Sequence, residues 1–375
     1  MVGDVSTETG AEIFVPTTEG KIFRVNLTSS ALPTAAWYPG SWLYRKKLSI
    51  DPTKVGSGGV TNFPVLVSRT DTDLLAHVAL STGNDILFTS DDGTTKLSHE
   101  IEKYVNTSGQ LVAWVKVPSI SDTITTDIFM YYGNGAATNQ QDVVNTWDAN
   151  FKAVWHLSQD PGGTAPQMTD STANHNHGTA AGSMTSANKV AGMVGDGTNF
   201  DGVANQINLS GFSAITAPWM LEFWIRPVSL DTVRAFFFNF GNPYPSIDSK
   251  NTGQNKLLMF HGASTFRYGN KSWAAADNNQ WWQLVFVIPN TTTPSTWGVY
   301  LNGADISDVA GAGGDYVAPG TSGNIGSRGS TLYFNGIMDE VRVSNAVRTA
   351  QWITTSYNSQ SSPSTFYSVG TEETP

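Results

Sequence analysis

Carboxylate pairs that could hydrolyse a glycosidic bond are the first chemistry to look for in this sequence. A retaining glycosidase needs two carboxyl groups about 5–5.5 Å apart. Asp339 and Glu340 are adjacent, so on a strand their side chains would point to opposite faces and could not form that pair. The sequence also contains no Cys nucleophile and no Gly-x-Ser-x-Gly elbow. Hydrolysis is therefore the least favoured interpretation, and we expect a protein that is not an enzyme.

Aromatic side chains are the second candidate chemistry, because exposed Trp and Tyr rings can stack on sugars. The chain has 12 Trp, 12 Tyr and 18 Phe. Each ring buries about 150–250 Å² when it enters a core, so most are expected to be core residues. Five aromatic residues in or beside loops, or on the alternate face of a strand, are candidates for a glycan-binding surface: Tyr244, Tyr268, Trp273, Trp281 and Tyr316.

The elements that must position these residues are β-strands. Alternating apolar residues and β-branched or aromatic runs predict strands at 43–50, 63–68, 85–89, 97–104, 111–117 and 127–132, and then at 206–209, 220–227, 235–240, 257–260, 282–288, 296–301 and 336–343. Asn302-Gly303 predicts a type I′ hairpin turn. Helices are predicted only at 71–79 and 348–357.

Composition limits the partners. At roughly 100–200 residues per domain, 375 residues predict two domains. Only 14% of residues are charged and the net charge is −10, with 21 basic and 31 acidic residues. Nucleic-acid binding requires clustered Lys and Arg, so we exclude it, and the same acidity argues against an anionic membrane surface. No stretch approaches the ~20 apolar residues of a membrane span.

Residues 1–39 form a separate arm and linker. The segments 11–15 and 21–27 are rich in β-forming residues around Glu19-Gly20, which predicts one hairpin. A lone hairpin is marginally stable, so the arm either docks on another surface or is a mobile leader. The first residues have no basic start and no apolar run typical of a secretory signal. Two explanations stay open: a removed signal, or assembly in the cytoplasm as in bacteriophage virions.

Five sequence segments in the second half resemble laminin-G-like, concanavalin A-like jelly-roll domains. They are Phe200-Asp201-Gly202, Glu222-Phe223-Trp224-Ile225-Arg226-Pro227, Trp282-Gln283-Leu284-Val285, Val299-Tyr300-Leu301-Asn302-Gly303 and Asp339-Glu340-Val341-Arg342-Val343. The resemblance covers about residues 150–372. It implies an antiparallel jelly-roll sandwich in which Trp224, Trp282 and Tyr300 occupy core positions.

The region 40–150 resembles an uncharacterised domain family that precedes such jelly rolls in bacterial and phage surface proteins. The similarity rests on Trp42-x-Tyr44-Arg45-Lys46, Asn62-Phe63-Pro64-Val65, Asn84-Asp85-Ile86-Leu87-Phe88, Trp114-Val115-Lys116-Val117-Pro118 and Tyr131-Tyr132-Gly133-Asn134. The resulting expectation is an all-β protein with two tandem antiparallel β-sandwiches of jelly-roll type and an N-terminal β-rich arm. Its domains would be 1–39, 40–148 and 149–375.

The jelly-roll resemblance also implies a structural Ca²⁺, since related domains hold one through Asp side chains and loop carbonyls. Asp170, Asp201 and Asp339 stand where the family has acids, and Ca²⁺ takes 6–8 oxygens. The alternative is that Asp170 and Asp201 form turns and that Asp339 pairs with Arg342. His175 and His177 could bind a transition metal, but the family's loop needs no His, so we interpret them as loop residues. The Glu-x-Asp-x-x-Glu pattern of related glucanases is absent.

These observations favour a non-catalytic virion structural or adhesion protein of a bacteriophage: a capsid decoration, head fibre or tail-associated protein. Residues 1–36 would contact other virion proteins, and the jelly roll would bind a cell-surface glycan. A homo-oligomer such as a trimer is compatible with this interpretation, although no heptad repeat indicates one. The first alternative is a bacterial secreted or cell-surface carbohydrate-binding protein, and the second is a glycoside hydrolase.

Overall fold

The computed structural model describes residues 12–16, 22–26, 35–212, 215–232, 234–240, 246–250, 256–329 and 331–375. The chain divides into two compact units, Met1–Trp37 and Tyr38–Pro375. In the first unit, β1 (Glu12–Pro16) pairs antiparallel with β2 (Ile22–Asn26). The hairpin predicted for the arm is therefore confirmed.

The second unit begins with a sandwich built on the predicted strands. Its elements are β3 (Tyr44–Ile50), β4 (Val60–Thr70), α1 (Thr72–His77), β5 (Leu87–Ser90), β6 (Lys96–Leu97), β7 (His99–Val105), β8 (Gln110–Ile120), β9 (Thr126–Tyr132) and α2 (Val143–Thr146). One sheet contains β3, β9, β5 and β6, and the other has the order β4-β8-β7. Apolar residues from both sheets share one core.

The central strand β8 explains how this sandwich meets the next one. Leu111, Val112, Ala113, Trp114 and Val115 are successive residues, and all are at most 1% exposed. A strand that buries every successive residue is covered on both faces. The second sandwich supplies part of that cover, because Met220, Val285 and Val287 belong to the same apolar cluster as Val112 and Val115.

The second sandwich follows with longer loops. Its strands are β10 (Phe151–Trp155), β11 (Gly178–Ala181), β12 (Lys189–Ala191), β13 (Asp196–Asp201), β14 (Gln206–Ser210), β15 (Trp219–Pro227), β16 (Phe236–Asn239), β17 (Ser246–Asp248), β18 (Leu257–Phe260), β19 (Phe266–Gly269), β20 (Trp282–Ile288), β21 (Gly298–Leu301), β22 (Ala304–Asp305), β23 (Ser307–Ala310), β24 (Ser322–Ile325) and β25 (Asn335–Ser344). Asn302 and Gly303 both have positive φ between β21 and β22, as the predicted type I′ turn requires.

Two sheets form this second sandwich. The inner sheet has the order β12-β13-β25-β15-β20-β21-β22, with β10 also paired to β25. The outer sheet has the order β11-β14-β24-β16-β17-β18-β19-β23. They enclose a core that includes Phe223, Phe286, Met259 and Ile325. The described structure is thus mostly β and antiparallel, which confirms the predicted fold class.

The last elements return to the first sandwich. They are α3 (Ala350–Ser361), α4 (Pro363–Phe366) and β26 (Tyr367–Glu373). Strand β26 pairs antiparallel with β3, with Tyr367 opposite Ile50. Helix α3 contributes Trp352 and Ile353 to the first core. The predicted domain boundaries, 40–148 and 149–375, assign these last elements to the second domain, whereas β26 and α3 pack with the first sandwich.

Within the described part of the chain, no helix has both the length and the apolar character needed to cross a membrane.

Candidate functional site

The outer sheet carries rows of side chains on the face that points away from the core. Paired residues on neighbouring strands point to the same side of a sheet, so the register identifies the rows. One row is Asp248, Leu258 and Tyr268 on β17, β18 and β19. The next row crosses seven strands and contains Thr179, Asn208, Asn324, Asn239, Ser246, Phe260 and Phe266. We call these two rows the outer face.

One end of the outer face is aromatic. Tyr268 packs with Leu258 and Phe260, and its ring meets that of Phe266 edge-on at 5.2 Å between centroids. A cavity of about 240 Å³ opens above them. The residues around it are Arg234, Leu258, Phe260, Gly262, Ala263, Phe266, Tyr268 and Arg328. The arrangement offers an apolar floor with two guanidinium groups at its rim.

Asp248 fixes one of these guanidinium groups. Nε of Arg234 donates to Oδ2 of Asp248 at 2.6 Å. Burial raises the pKa of Asp248 to about 6, against the opposing effect of Arg234. The carboxyl group thus orients Arg234 toward the cavity rim.

The other end of the outer face is lined by amides. Nδ2 of Asn324 donates to Oδ1 of Asn208 at 2.8 Å, and Nε2 of Gln206 donates to the same oxygen at 3.0 Å. A cavity of about 330 Å³ lies here, with Asn239 also in its lining. Each amide can both donate and accept hydrogen bonds, as a sugar hydroxyl does. This end therefore suits a neutral, hydroxyl-rich ligand.

The predicted glycan-binding aromatics do not form one surface. Tyr268 lies on the outer face. Trp273 is buried, with Nε1 donating to the carbonyl oxygen of Ser249 at 2.8 Å and Lys271 lying 5.1 Å from the ring. Trp281 is half-buried in the segment just before β20. Tyr244 lies outside the described residues.

Tyr316 lies beside a separate cavity at the loop end of the second sandwich. Its ring stacks on that of His261 at 4.6 Å between centroids. The cavity has a volume of about 630 Å³ and is otherwise lined by small residues, including Thr216, Thr292 and Gly313. Its described lining contains one aromatic ring and no amide side chain, so it offers fewer groups for binding a sugar than the outer face.

The three predicted calcium ligands are not brought together. Asp170 accepts the backbone N–H groups of Thr172 and Asn176 in its own loop and of Val154 on β10, and the exposed Asp201 accepts three from its own loop. Asp339 is buried and accepts the N–H of Val194 at 2.8 Å. Within the described residues, they do not form a group of mutually close ligand atoms. These three carboxylates do not fit one shared Ca²⁺, and calcium binding by this protein stays a prediction.

A buried group of charges, which we call the junction cluster, lies where the two sandwiches meet. It contains Glu100 and Glu102 from β7, His156 next to β10, and Asp339, Glu340 and Arg342 from β25. Nδ1 of His156 lies 2.8 Å from Oε1 of Glu340 and 3.5 Å from Oε2 of Glu102. The rings of Trp114 and Trp147 cover Arg342 at 4.2 and 4.9 Å.

Burial and mutual charge raise the pKa values of three groups in this cluster. Burial raises the pKa of Glu102 well above its usual value, despite the neighbouring His156. Burial also raises the pKa of Asp339, and the charge of Glu340 adds to the effect. For His156, burial alone would lower the pKa, but Glu340 and Glu100 raise it well above the usual value. In all three groups the surroundings therefore favour the protonated form more than water does.

The expectation that Asp339 and Glu340 point to opposite faces of a strand is wrong. Glu340 has a φ of +53°, and the register between β15 and β25 shifts at this point. An extra residue in one strand of a pair is a β-bulge, and it breaks the alternation of faces. Met338 and Val341 enter the second core, while Asp339 and Glu340 both enter the junction cluster. Both carboxyl groups are fully buried there.

Sequence reasoning missed the phenylalanines of the outer face, and it considered Asp339, Glu340 and Arg342 without expecting them to meet Glu100, Glu102 and His156 in one cluster. Leu257–Phe260 is apolar at every position, which is a signal that both faces of that strand carry apolar groups. Glu100 and Glu102 alternate on a predicted strand of a protein poor in charge. That spacing places both carboxylates on one face and could have drawn attention to them.

Comparison with known families agrees with the two-module architecture. Residues 201–354 match the family described as the concanavalin A-like lectin/glucanases superfamily. Residues 82–156 match a domain of unknown function, DUF2341. The predicted resemblance is therefore confirmed for both modules. A search of curated proteins found no match.

Several solved structures are similar to part of the chain. Domain 4 of AbnA, a GH43 extracellular arabinanase from Geobacillus stearothermophilus, in complex with arabinotriose, has a TM-score of 0.41 and 21% identity, covering 56% of this chain and 98% of that one. The receptor-binding domain of botulinum neurotoxin C/D mosaic serotype has a TM-score of 0.41 and 11% identity, covering 56% and 51%. The binding domain of Paraclostridial Mosquitocidal Protein 1 has a TM-score of 0.37 and 12% identity, covering 56% and 52%. The chain spans about half the length of the two toxin domains.

Proposed function

We propose that this chain, which carries a concanavalin A-like module behind a domain of unknown function, is a non-catalytic protein that binds an oligosaccharide across its outer face. The observation that carries the proposal is the cross-strand row from Asn208 to Phe266. Its exposed or half-buried members offer the amides of Asn208 and Asn324 for hydroxyl groups at one end and the ring of Phe266 for the apolar face of a sugar at the other.

The inner sheet of the second sandwich is covered by other parts of the protein, which supports the choice of the outer face as the binding surface. Trp114 and Val115 of the first sandwich, together with helix α3, lie against the inner sheet. Among the described residues, the inner sheet is thus occupied by the rest of the protein. The outer sheet keeps its cavities on the side away from the core.

The non-catalytic part of the proposal rests on where the carboxylates lie. A glycosidase needs two carboxyl groups facing one substrate. Within the described residues, the carboxyl groups of Glu102 and Glu340 converge beside His156, but their side chains are at most 2% exposed between the sandwiches. Asp248, on the outer face, is held by Arg234.

The test is a glycan array probed with the full chain, followed by calorimetry with the best-binding oligosaccharide. Phe266→Ala should weaken binding about tenfold or more, because it removes a stacking ring without opening the core. Val203→Ala, at a 74% exposed position, is the matched control. Tyr316→Ala tests the loop-end cavity. Loss of binding only in Tyr316→Ala, or no binding to any glycan, would contradict the proposal.

The finer proposal is that the protein belongs to the surface of a bacteriophage particle, as a capsid decoration, head fibre or tail-associated adhesin. It is supported by the low charge content, the absence of Cys and the arm that forms a compact unit of its own. The alternative is a bacterial secreted or cell-surface protein that binds carbohydrate.

Deleting residues 1–36 separates these two possibilities. For a virion protein, the shortened chain should fold but no longer attach to particles. A shortened chain that still attaches to particles would exclude the arm as the anchor. A protein found on bacterial cells that carry no phage would favour the alternative.

A further inference from the structure

We propose that Glu102, His156 and Glu340 bind a divalent transition-metal ion, such as Zn²⁺, between the two sandwiches. One ligand atom from each residue lies within 4.8 Å of the others. Nδ1 of His156 is 2.8 Å from Oε1 of Glu340 and 3.5 Å from Oε2 of Glu102. Tetrahedral Zn²⁺ bonds of about 2.0–2.2 Å place neighbouring ligand atoms roughly 3.3–3.6 Å apart, so the distance from His156 to Glu102 already fits and Glu340 would have to move about 0.5 Å away from His156.

Unpartnered buried oxygens are a second observation that points to a cation. Oε1 of Glu102 has no hydrogen-bond partner, although its side chain is only 2% exposed. Oδ1 of the neighbouring, fully buried Asp339 also has none. A buried polar atom without a partner costs free energy, and a bound metal ion would satisfy it. Asp339 is not one of the three residues with mutually close ligand atoms, so its Oδ1 is a second buried oxygen without a partner beside the proposed site.

The donor set favours a transition metal over calcium. An imidazole nitrogen with carboxylate oxygens suits Zn²⁺ and its neighbours, whereas Ca²⁺ prefers 6–8 oxygens. The proposed centre is therefore distinct from a calcium site at Asp170 or Asp201. Glu102 comes from the first sandwich, and His156 and Glu340 come from the second. The ion would fasten the two sandwiches to each other.

The experiment begins with the full chain refolded with Zn²⁺ or with EDTA, because a buried ion enters during folding. After dialysis in metal-free buffer, we expect one Zn²⁺ per chain by elemental analysis and a higher Tm for the Zn²⁺-refolded protein. Less than half an equivalent of Zn²⁺, or the same Tm in both preparations, would overturn the proposal whatever the variants do.

Glu102→Gln is the informative variant. Gln keeps the volume of the protonated acid and can still accept the hydrogen bond that Trp114 donates, so the variant should fold. Its affinity for Zn²⁺ should fall at least tenfold. The double variant His175→Ala, His177→Ala removes the histidines of the Asp170 loop and should keep full affinity. Unchanged affinity in Glu102→Gln, or lost metal in the double variant, would show that the ion binds elsewhere.

Discussion

Oε1 of Glu340 lies 2.8 Å from Nδ1 of His156, deep between the two sandwiches. The second oxygen of the same carboxylate accepts a hydrogen bond from Nη2 of Arg342 at 2.6 Å. The β-bulge at Glu340 is what aims this side chain at both partners. One carboxylate thus organises two cationic groups at the centre of the junction.

Glu340→Gln should destabilise the protein strongly. Removing one partner of a buried ion pair leaves an uncompensated charge and costs about 3–5 kcal/mol. Glu373→Gln is the matched control, since Glu373 pairs with Arg45 at 2.7 Å but is 40% exposed. A partly exposed pair contributes about 0–1 kcal/mol. Urea unfolding of both variants measures the difference, and equal small losses would show that the Glu340 pair adds little.

The fold could be predicted from the sequence because alternation and turn residues act locally. The predicted strand at 282–288 matches β20, and Asn302-Gly303 forms the predicted turn. The helix predicted at 348–357 is observed at Ala350–Ser361. Strand β26 was missed because its partner β3 lies more than 300 residues earlier in the chain. A single sequence does not indicate such a distant pairing.

The sites were less predictable, for two physical reasons. Whether an aromatic residue such as Trp273 stacks on a ligand or fills a core depends on which sheet covers it, and the strand pattern leaves that open. The placement of Asp339 and Glu340 depends on a bulge, and a non-glycine residue with positive φ gives no signal in the sequence. The position of Tyr268, by contrast, follows from simple alternation. Arg267 is paired with the core residue Met259, so the next residue, Tyr268, points to the opposite side of the sheet.

Removing one amide from the outer face should weaken glycan binding without harming the fold. Asn324→Ala loses the hydrogen bond to the exposed Asn208, and we expect an affinity about three- to tenfold lower, since one hydrogen bond contributes about 1 kcal/mol. Asn174→Ala, in the loop that contains His175, is the control. Calorimetry with the same oligosaccharide decides, and equal affinities would show that the amide end takes no part.

Two buried histidines should make the protein less stable in mild acid. Burial lowers the pKa of His99 and of His261 to about 4, below the unfolded value of ~6.5. As the pH falls, the unfolded chain therefore binds these protons before the folded protein does. The contribution of each neutral histidine to the free energy of unfolding is complete above pH ~6.5 and is lost as the pH falls toward 4. In that window, each histidine should lower the free energy of unfolding by up to about 1.4 kcal/mol per pH unit.

His261→Gln isolates one of these contributions. Urea unfolding between pH 7 and 5 should show a smaller pH dependence for this variant than for the natural protein. His175→Gln, on an exposed loop, should keep the original slope. If both variants behave alike, protonation of His261 does not contribute to the acid sensitivity.

Calcium binding can be tested with EGTA if the zinc content is followed in parallel, because EGTA also binds Zn²⁺ strongly. EGTA binds Ca²⁺ strongly, so a structural Ca²⁺ predicts a lower Tm after EGTA treatment and recovery when Ca²⁺ is added in excess. Asp201→Asn should reduce that recovery if Asp201 is a ligand. Thermal melts of zinc-loaded protein with and without EGTA measure the effect, with zinc content followed in parallel. An unchanged Tm would count against calcium.

Removing the last strand, β26, should destabilise the first sandwich, although the two are far apart in the sequence. Deletion of residues 367–375 takes away β26 and leaves the edge of β3 unpaired. It also removes Glu372, which accepts a hydrogen bond from Tyr132 at 2.7 Å and lies 2.8 Å from Nδ1 of His77. An uncovered edge strand is a site for aggregation and proteolysis. We therefore expect a lower Tm and new tryptic cleavage after Lys46 or Lys47 on β3.

Deletion of Thr374 and Pro375 alone is the control, because both lie beyond β26. If the longer deletion leaves Tm and cleavage unchanged, the return of the C-terminus to the first sandwich contributes nothing to its stability.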